Sequence, residues 1–243
     1  MALTSDDKFA SEARMLEEPP LLEVKRLWDR VPPELLARFE GAQTGHLIDA
    51  MGGRGALDHA IKPVVAARPT FIGSALPVWT GPNDNLALIG GVAIAKPGDV
   101  VVAESGGFEG AAVCGDIVAQ LAKNAGCSAI VIDGMARDLE GLDAVGLAVF
   151  ARGITPNSCV KSGPGRVGLP VVAGGVQVTA GDLVMGDRDG VVVVPAAMVE
   201  TVADQVDAIR AAEAKVIEKS ESGITTLPFM DALLNSERVK FVE

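Results

Sequence analysis

From about residue 70 onward, short apolar runs alternate with glycine and proline punctuation. This is the pattern of closely spaced strands joined by turns and interrupted by a few helices. The runs predict strands at Thr70–Trp79, Val100–Glu104, Ala129–Asp133, Ala148–Ala151, Val171–Val178, Leu183–Met185 and Val191–Val194. Helices are predicted at Asn83–Ala95, Ala111–Asn124 and Ala196–Glu221. Residues 34–53 read as one or two short helices. Pro33-Glu34 opens the first, Thr44 is placed to cap the second, and Gly52-Gly53 ends it. A helix followed by a strand over 111–133 requires a crossover between parallel strands, whereas the later strands, joined by tight turns, are expected to be antiparallel. Pro97-Gly98-Asp99 and Ala180-Gly181-Asp182 each precede a Val-rich strand; two equivalent hairpins would give this likeness, but it is too short to define a repeat. The expected fold is α/β: a mixed sheet or sandwich flanked by helices, with a long C-terminal helix.

Residues 1–33 differ from the rest. They are charged, carry Pro19, Pro20, Pro32 and Pro33, and include the amphipathic piece Leu21 to Trp28. They read as an arm that packs on a neighbouring surface, another subunit being one candidate. No linker composition follows, so residues 34–243 read as one catalytic-size domain. The start MALTSDDKFA has neither a basic opening nor an apolar run, and no stretch reaches the roughly 20 apolar residues needed to span a bilayer. Cys114, Cys127 and Cys159 are odd in number and widely spaced, which suits reduced thiols in a cytoplasmic protein. Cys114 and Cys127 lie among Ala, Val and Ile and read as small core residues.

Composition narrows the chemistry. The net charge is −11, from 21 Lys and Arg against 32 Asp and Glu. That balance disfavours nucleic acid and anionic membranes as partners. There is no Tyr, and His46 and His59 are the only histidines. Tyr acid–base chemistry is therefore excluded, and a multi-His zinc site within one chain nearly so. Catalysis must rest on Asp, Glu, Arg, Lys, Cys, backbone amides or a metal held by oxygen.

The richest segment runs from Gly106-Gly107 through Gly110 to Gly115-Asp116, and then, after a helix and a strand, to Asp133-Gly134-Met135-Ala136-Arg137-Asp138. Glycines let the backbone approach a ligand closely. The expected helix start beyond them offers unpaired amides and a positive dipole end to an anion. Arg137-Asp138 falls just past a strand end, where ligands of α/β sheets gather. One anion-binding helix start, one Arg and several carboxylates can thus converge. No Walker A, dinucleotide GxGxxG or GxSxG motif is present.

Residues 34–200 resemble the family that contains class II 4-hydroxy-4-methyl-2-oxoglutarate / 4-carboxy-4-hydroxy-2-oxoadipate aldolases and the regulator of ribonuclease activity A. The likeness is an ordered series: Leu47-Ile48-Asp49-Ala50-Met51-Gly52; Asp84-Asn85-Leu86, then Lys96-Pro97-Gly98-Asp99-Val100; Gly115-Asp116, then Asp133-Gly134-Met135-Ala136-Arg137-Asp138; and Gly175 to Asp182, then Asp187-Arg188-Asp189-Gly190-Val191 to Pro195. The aldolase signature is an Asp, twenty intervening residues and Arg-Asp; Asp116 and Arg137 have 20 residues between them, and Asp138 follows.

The resemblance implies a mixed-sheet β/β/α sandwich of the swivelling-domain type and a carbon–carbon lyase. The reaction would be retro-aldol cleavage of a 4-hydroxy-2-oxo acid to pyruvate and a carbonyl compound, with oxaloacetate decarboxylation through the same enolate. It implies Asp138 as direct ligand of a divalent Mg or Mn, Asp116 as holding that cation through water, and Arg137 at the pyruvoyl oxygen. The amides of Gly115, Asp116 and Ile117 would receive the substrate carboxylate, with Asn85 supporting the pocket. Asp49 and Glu213 are further candidates for positioning a proton-shuttling water, Glu213 from a neighbouring subunit of a homotrimer or homohexamer. His46, three residues before Asp49, is an acid–base candidate; a structural His is the alternative.

The chain also departs from the family. Ile89 stands where some aldolases carry a His, Ser222 to Met230 replaces the usual tail, and the 1–33 arm is extra. A Schiff-base route needs a buried Lys, and Lys62, Lys96, Lys123 and Lys161 all flank turns or lie on polar faces. The other branch of the family supplies a different expectation: a non-enzymatic regulator that binds and inhibits a ribonuclease through an acidic surface.

Overall fold

The structure is a computed structural model and describes residues 20–242. Residues 1–19 of the expected arm lie outside the described residues. In chain order the elements are β1 (Leu22–Val24), α1 (Pro33–Ala37), α2 (Thr44–Ala50), β2 (Lys62–Pro63), β3 (Phe71–Trp79), α3 (Leu86–Ile94), β4 (Asp99–Cys114), α4 (Asp116–Asn124), β5 (Ala129–Ala136) and α5 (Leu139–Val145). Then come β6 (Ala148–Ala151), β7 (Gly153–Ile154), β8 (Gly165–Val167), β9 (Val171–Ala173), β10 (Val176–Val178), β11 (Leu183–Asp187), β12 (Gly190–Val194), a 3-10 turn (Ala196–Met198), α6 (Val199–Glu221) and α7 (Pro228–Leu234). This is the expected mixed α/β architecture with a long C-terminal helix.

Ten strands form one mixed sheet. The strands β3, β4, β5 and β6 run parallel at its centre. At β3 the sheet forks: β4 covers one edge, while β11 and β8 share the other, both antiparallel to it. Period-2 alternation along β4 shows why both faces are covered. Val101 and Ala103 pack under α3, α4 and α5 with Leu88, Ala119 and Leu142, whereas Val100 and Val102 face Phe71, Phe150, Val171 and Val191. A third cluster seats α2 and the start of α6 on β11 and β12 through Leu47, Met51, Val199, Val202 and Val206.

The structure corrects several local expectations. Ala111–Cys114 is strand, not helix: β4 continues through the glycines, bulging against β5 where Gly106 and Gly107 adopt φ of 69° and 66°, and the helix begins at Asp116. Val171–Val178 is a hairpin turned at Gly174-Gly175, not one strand. Thr44 does not cap α2; Gln43 and His46 do so reciprocally, while Thr44 donates its N–H and hydroxyl to Asp187.

The two Gly-Asp turns are not hairpins, yet they share a mechanism. Asp99 accepts the Lys96 N–H at 2.8 Å and Asp182 accepts the Thr179 N–H at 2.7 Å. These turns launch β4 and β11, the neighbours of β3 on its two sides. Residues 22–31 pack on their own chain: β1 pairs with β8, Val31 enters the third cluster, and Arg30 forms an ion pair at 2.7 Å with the fully buried Asp99.

Candidate active site

A cleft of about 170 Å³ opens where β4 and β5 end, lined by Asn85, Ile89, Ala112 to Val118, Leu121, Arg137, Asp138, Ser158, Cys159 and Lys161. Parallel pairing of β4 with β5 brings Cys114 opposite Ala136, so Gly115-Asp116 and Arg137-Asp138 leave the sheet side by side. The Arg137 N–H donates to the Cys114 carbonyl at 3.0 Å, closing the corner between them. Positions with 20 residues between them in sequence thereby become neighbours.

Each side chain has a definable support. Arg137 Nε lies 3.1 Å from Asp138 Oδ2, and its Nη1 donates to the Ser158 hydroxyl. Asp138 sits at φ 61°, ψ 51°, immediately before α5. This left-handed geometry is uncommon for a residue with a side chain and least costly for Asn and Asp. Asp116 is the first residue of α4, and its Oδ1 accepts the Ile117 N–H at 2.7 Å. Gly141 of α5 packs on Asp116 so closely that a Cβ there would stand 2.5 Å from Oδ2. Asn85 donates Nδ2–H to the Val113 carbonyl at 3.0 Å and so ties α3 to the end of β4, while its Oδ1 is buried without a partner. Cys114 lines the same cleft, and burial pushes its thiol up to about 12, which keeps it protonated and unreactive.

The cleft therefore brings together Gly115, Asp116, Ile117, Asn85, Arg137 and Asp138. The Ile117 amide is engaged by Asp116, leaving the amides of Gly115 and Asp116 to meet an anion. Asp49 lines a different groove, with Thr44, Ile48 and Asp189. Glu213 accepts a hydrogen bond at 2.6 Å from His46 Nε2, whose Nδ1 takes the Gln43 N–H. Within one chain neither Asp49, His46 nor Glu213 lines the Arg137 cleft. Asp133, part of the motif in sequence, faces away: it pairs with Arg152 at 2.5 Å and accepts the Gly174 N–H at 2.8 Å.

Ser158, Cys159 and Lys161 form a wall that sequence reasoning did not anticipate. They lie in the irregular segment between β7 and β8, where no periodicity exists to read. The pairing of Ala112 with Ser158 brings them in.

Asp138 and Asp116 are the two carboxylates lining the cleft, oxygen donors of the type that hard divalent cations accept. Among the described residues no group of three or more His, Cys, Asp or Glu is placed to hold a metal ion.

Comparison with known proteins completes the picture. A family model described as RraA-like, Aldolase/RraA, matches residues 44–193. A Halalkalibacterium halodurans protein with the provisional name 4-hydroxy-4-methyl-2-oxoglutarate aldolase is 35% identical over 169 residues, covering 70% of this chain and 80% of that protein. The crystal structure of an uncharacterized protein from Pseudomonas syringae pv. tomato superposes with a TM-score of 0.70 at 28% identity, covering 82% of this chain and 97% of that one. The RNA-processing inhibitor RraA from Thermus thermophilis superposes with a TM-score of 0.59 at 28% identity, covering 63% and 93%.

Proposed function

The chain belongs to the RraA-like family, and from that premise we propose that it is a divalent-metal-dependent carbon–carbon lyase. It cleaves a 4-hydroxy-2-oxo acid to pyruvate and a carbonyl compound and decarboxylates oxaloacetate by the same route. The observation that carries this reading is the convergence of the α4 start, Asp116, Arg137 and Asp138 on one cleft.

Cleaving the bond between C3 and C4 of a 2-oxo acid leaves a pyruvate enolate, whose oxygen needs positive charge that is already in place. The Gly115 and Asp116 amides, at the positive end of α4, receive the substrate carboxylate. Arg137, held by Asp138 and Ser158, presents its planar fork to the 2-oxo oxygen and stays charged throughout. A divalent cation, Mg or Mn, bound directly by Asp138 and through water by Asp116, would supply further positive charge at that oxygen. Asp49 and Glu213 are the candidates to position the water that shuttles protons, Glu213 from a neighbouring copy in a trimer or hexamer.

The test is pyruvate release with Mg or Mn, with EDTA, and in Arg137→Ala and Arg137→Lys variants. Turnover should vanish with EDTA, fall by about 10²–10³-fold in Arg137→Ala, and recover only weakly in Arg137→Lys. Turnover that survives both EDTA and Arg137→Ala would overturn the mechanism. The superposition with the Thermus thermophilis inhibitor supports a second reading, a ribonuclease-binding regulator. A salt-sensitive ribonuclease complex, with no turnover of any 2-oxo acid, would favour it.

A further inference from the structure

We infer that Ser158 is a further catalytic residue: its hydroxyl donates a second hydrogen bond to the oxygen that Arg137 meets, a bond that strengthens as that oxygen gains enolate charge. The inference takes the reaction from the lyase reading above, and the residue from the hydrogen bonds of the cleft. Ser158 lines the cleft together with Arg137. Its oxygen accepts an N–H from Arg137 Nη1, so its own proton must point elsewhere. Among the described residues that proton has no acceptor. Arg137 Nε is turned to Asp138 Oδ2 at 3.1 Å, which leaves Nη2 as the guanidinium nitrogen without a partner among the described residues. An oxygen that takes an N–H from Nη2 therefore lies beside the Ser158 hydroxyl.

The backbone that carries Ser158 is fixed on both sides. Before it, the Asn157 carbonyl accepts the Ala112 N–H at 3.0 Å and Asn157 Nδ2 donates to the Gly110 carbonyl at 3.0 Å, which fastens the stretch to β4. After it, the Val160 N–H donates to the Asn83 carbonyl at 2.9 Å and the Asn85 N–H donates to the Val160 carbonyl at 3.1 Å. The Ser162 and Gly163 N–H groups then donate to Asp84 Oδ2 at 2.5 and 2.9 Å, which completes the attachment to the start of α3. The hydroxyl thus stands in place before any reaction, as a donor to a developing oxyanion must. Accepting from a cation polarises it and makes it a better donor. Because it is neutral, it adds little to a 2-oxo carbonyl and more to an anionic oxygen, since hydrogen bonds to charged acceptors are about twice as strong. A contact that gains strength in this way raises kcat rather than tightening substrate binding.

The test compares wild-type protein with Ser158→Ala and Ser158→Thr in two measurements. One is pyruvate release; the other is titration calorimetry, in the presence of Mg, with oxalate and with pyruvate. Oxalate presents an anionic oxygen where the enolate has one, and pyruvate a neutral carbonyl oxygen. Ser158→Ala should lower kcat by about tenfold to 10²-fold with KM held within about twofold. It should weaken oxalate by about tenfold and pyruvate by less than about threefold. Ser158→Thr keeps the hydroxyl and should stay within about threefold of wild type throughout. The inference is overturned if Ser158→Ala leaves kcat and oxalate affinity unchanged, or if Ser158→Thr behaves as Ser158→Ala. It is equally overturned if wild-type protein binds neither probe, or if Ser158→Ala weakens oxalate and pyruvate alike, as a lost orientation of Arg137 alone would do. Failure of the lyase reading shows separately: a selective loss of oxalate in Ser158→Ala, with no pyruvate released from any 4-hydroxy-2-oxo acid by wild-type protein, removes the reaction and leaves the Ser158 hydroxyl as a donor to the anionic oxygen.

Discussion

Gly115 and Asp138 approach so closely that no side chain fits between them: a Cβ on Gly115 would stand 2.4 Å from Asp138 Oδ2 and 3.3 Å from Arg137 Cγ and Nε. The backbone of Gly115, at φ −135° and ψ −171°, is open to any residue, so the need for glycine is one of proximity. Gly115→Ala must displace the Asp138 carboxylate and the Arg137 stem together. Overpacking of this kind costs about 1–3 kcal/mol. A misplacement near 1 Å costs about 10²-fold in rate. We expect a folded protein by circular dichroism with a modest loss in melting temperature and pyruvate release reduced about 10²-fold.

Asp138→Asn separates charge from shape. Asn accepts the left-handed backbone at position 138 as readily as Asp, so the fold and the α5 start should persist. The carboxylate proposed to hold the cation is lost. Manganese affinity, followed by electron paramagnetic resonance of the free ion, should weaken by at least about tenfold, with an unchanged urea midpoint. Unchanged manganese affinity would remove Asp138 as ligand.

Glu213 offers a test of assembly. Its contact with His46 is half-exposed and contributes about 0–1 kcal/mol if it is only a surface pair. If Glu213 completes a neighbouring cleft, Glu213→Ala should lower kcat by about 10²-fold, the scale of a lost proton-transfer group, with little change in KM. Light scattering should then give a trimer or hexamer at assay concentration. A monomer with full activity would sink this role.

Buried thiols set an alkaline limit to stability. Burial pushes Cys114 up from an ordinary value of 9.0 to about 12 and Cys127 to about 11. Above the unfolded value the unfolded chain releases these protons first. Their contribution is thus complete below pH 9 and fades as pH climbs toward the folded values. The chain has no Tyr to titrate in the same window. Urea midpoints should fall from about pH 8 to about pH 10.5, and a Cys114→Ala/Cys127→Ala variant should show a shallower fall. Equal slopes would assign the loss to other groups.

The parts of the fold legible in sequence are those where burial imposes a period. The strands β3, β5, β6, β11 and β12 carry β-branched residues inside the sheet, and α6 begins on an apolar face. The course of β4 past Glu104 was not legible. Gly106-Gly107 reads equally as a turn before a helix and as a bulge, and pairing with β5 over a long sequence separation decides for the bulge. Arg137, Asp138 and Asp116 stand out by spacing. Ser158 and Lys161 do not, because their segment has no repeat and reaches the cleft only through the Ala112–Ser158 pairing and the Asp84 hydrogen bonds. Asp133 shows the reverse: it adjoins the motif in sequence and serves the interior in space.

The 16-residue course of β4 joins two places that proteins often keep apart. Its first half is the innermost rung of the sheet, with Val100 to Ala103 wholly buried, and its last residues are the floor of the cleft. Heat therefore has no inexpensive way to loosen that floor while the rest of the molecule stands. Inactivation and global melting should coincide on one temperature scale, and the amide hydrogens of Ala112 to Cys114 should exchange with solvent nearly as slowly as those at the centre of the domain.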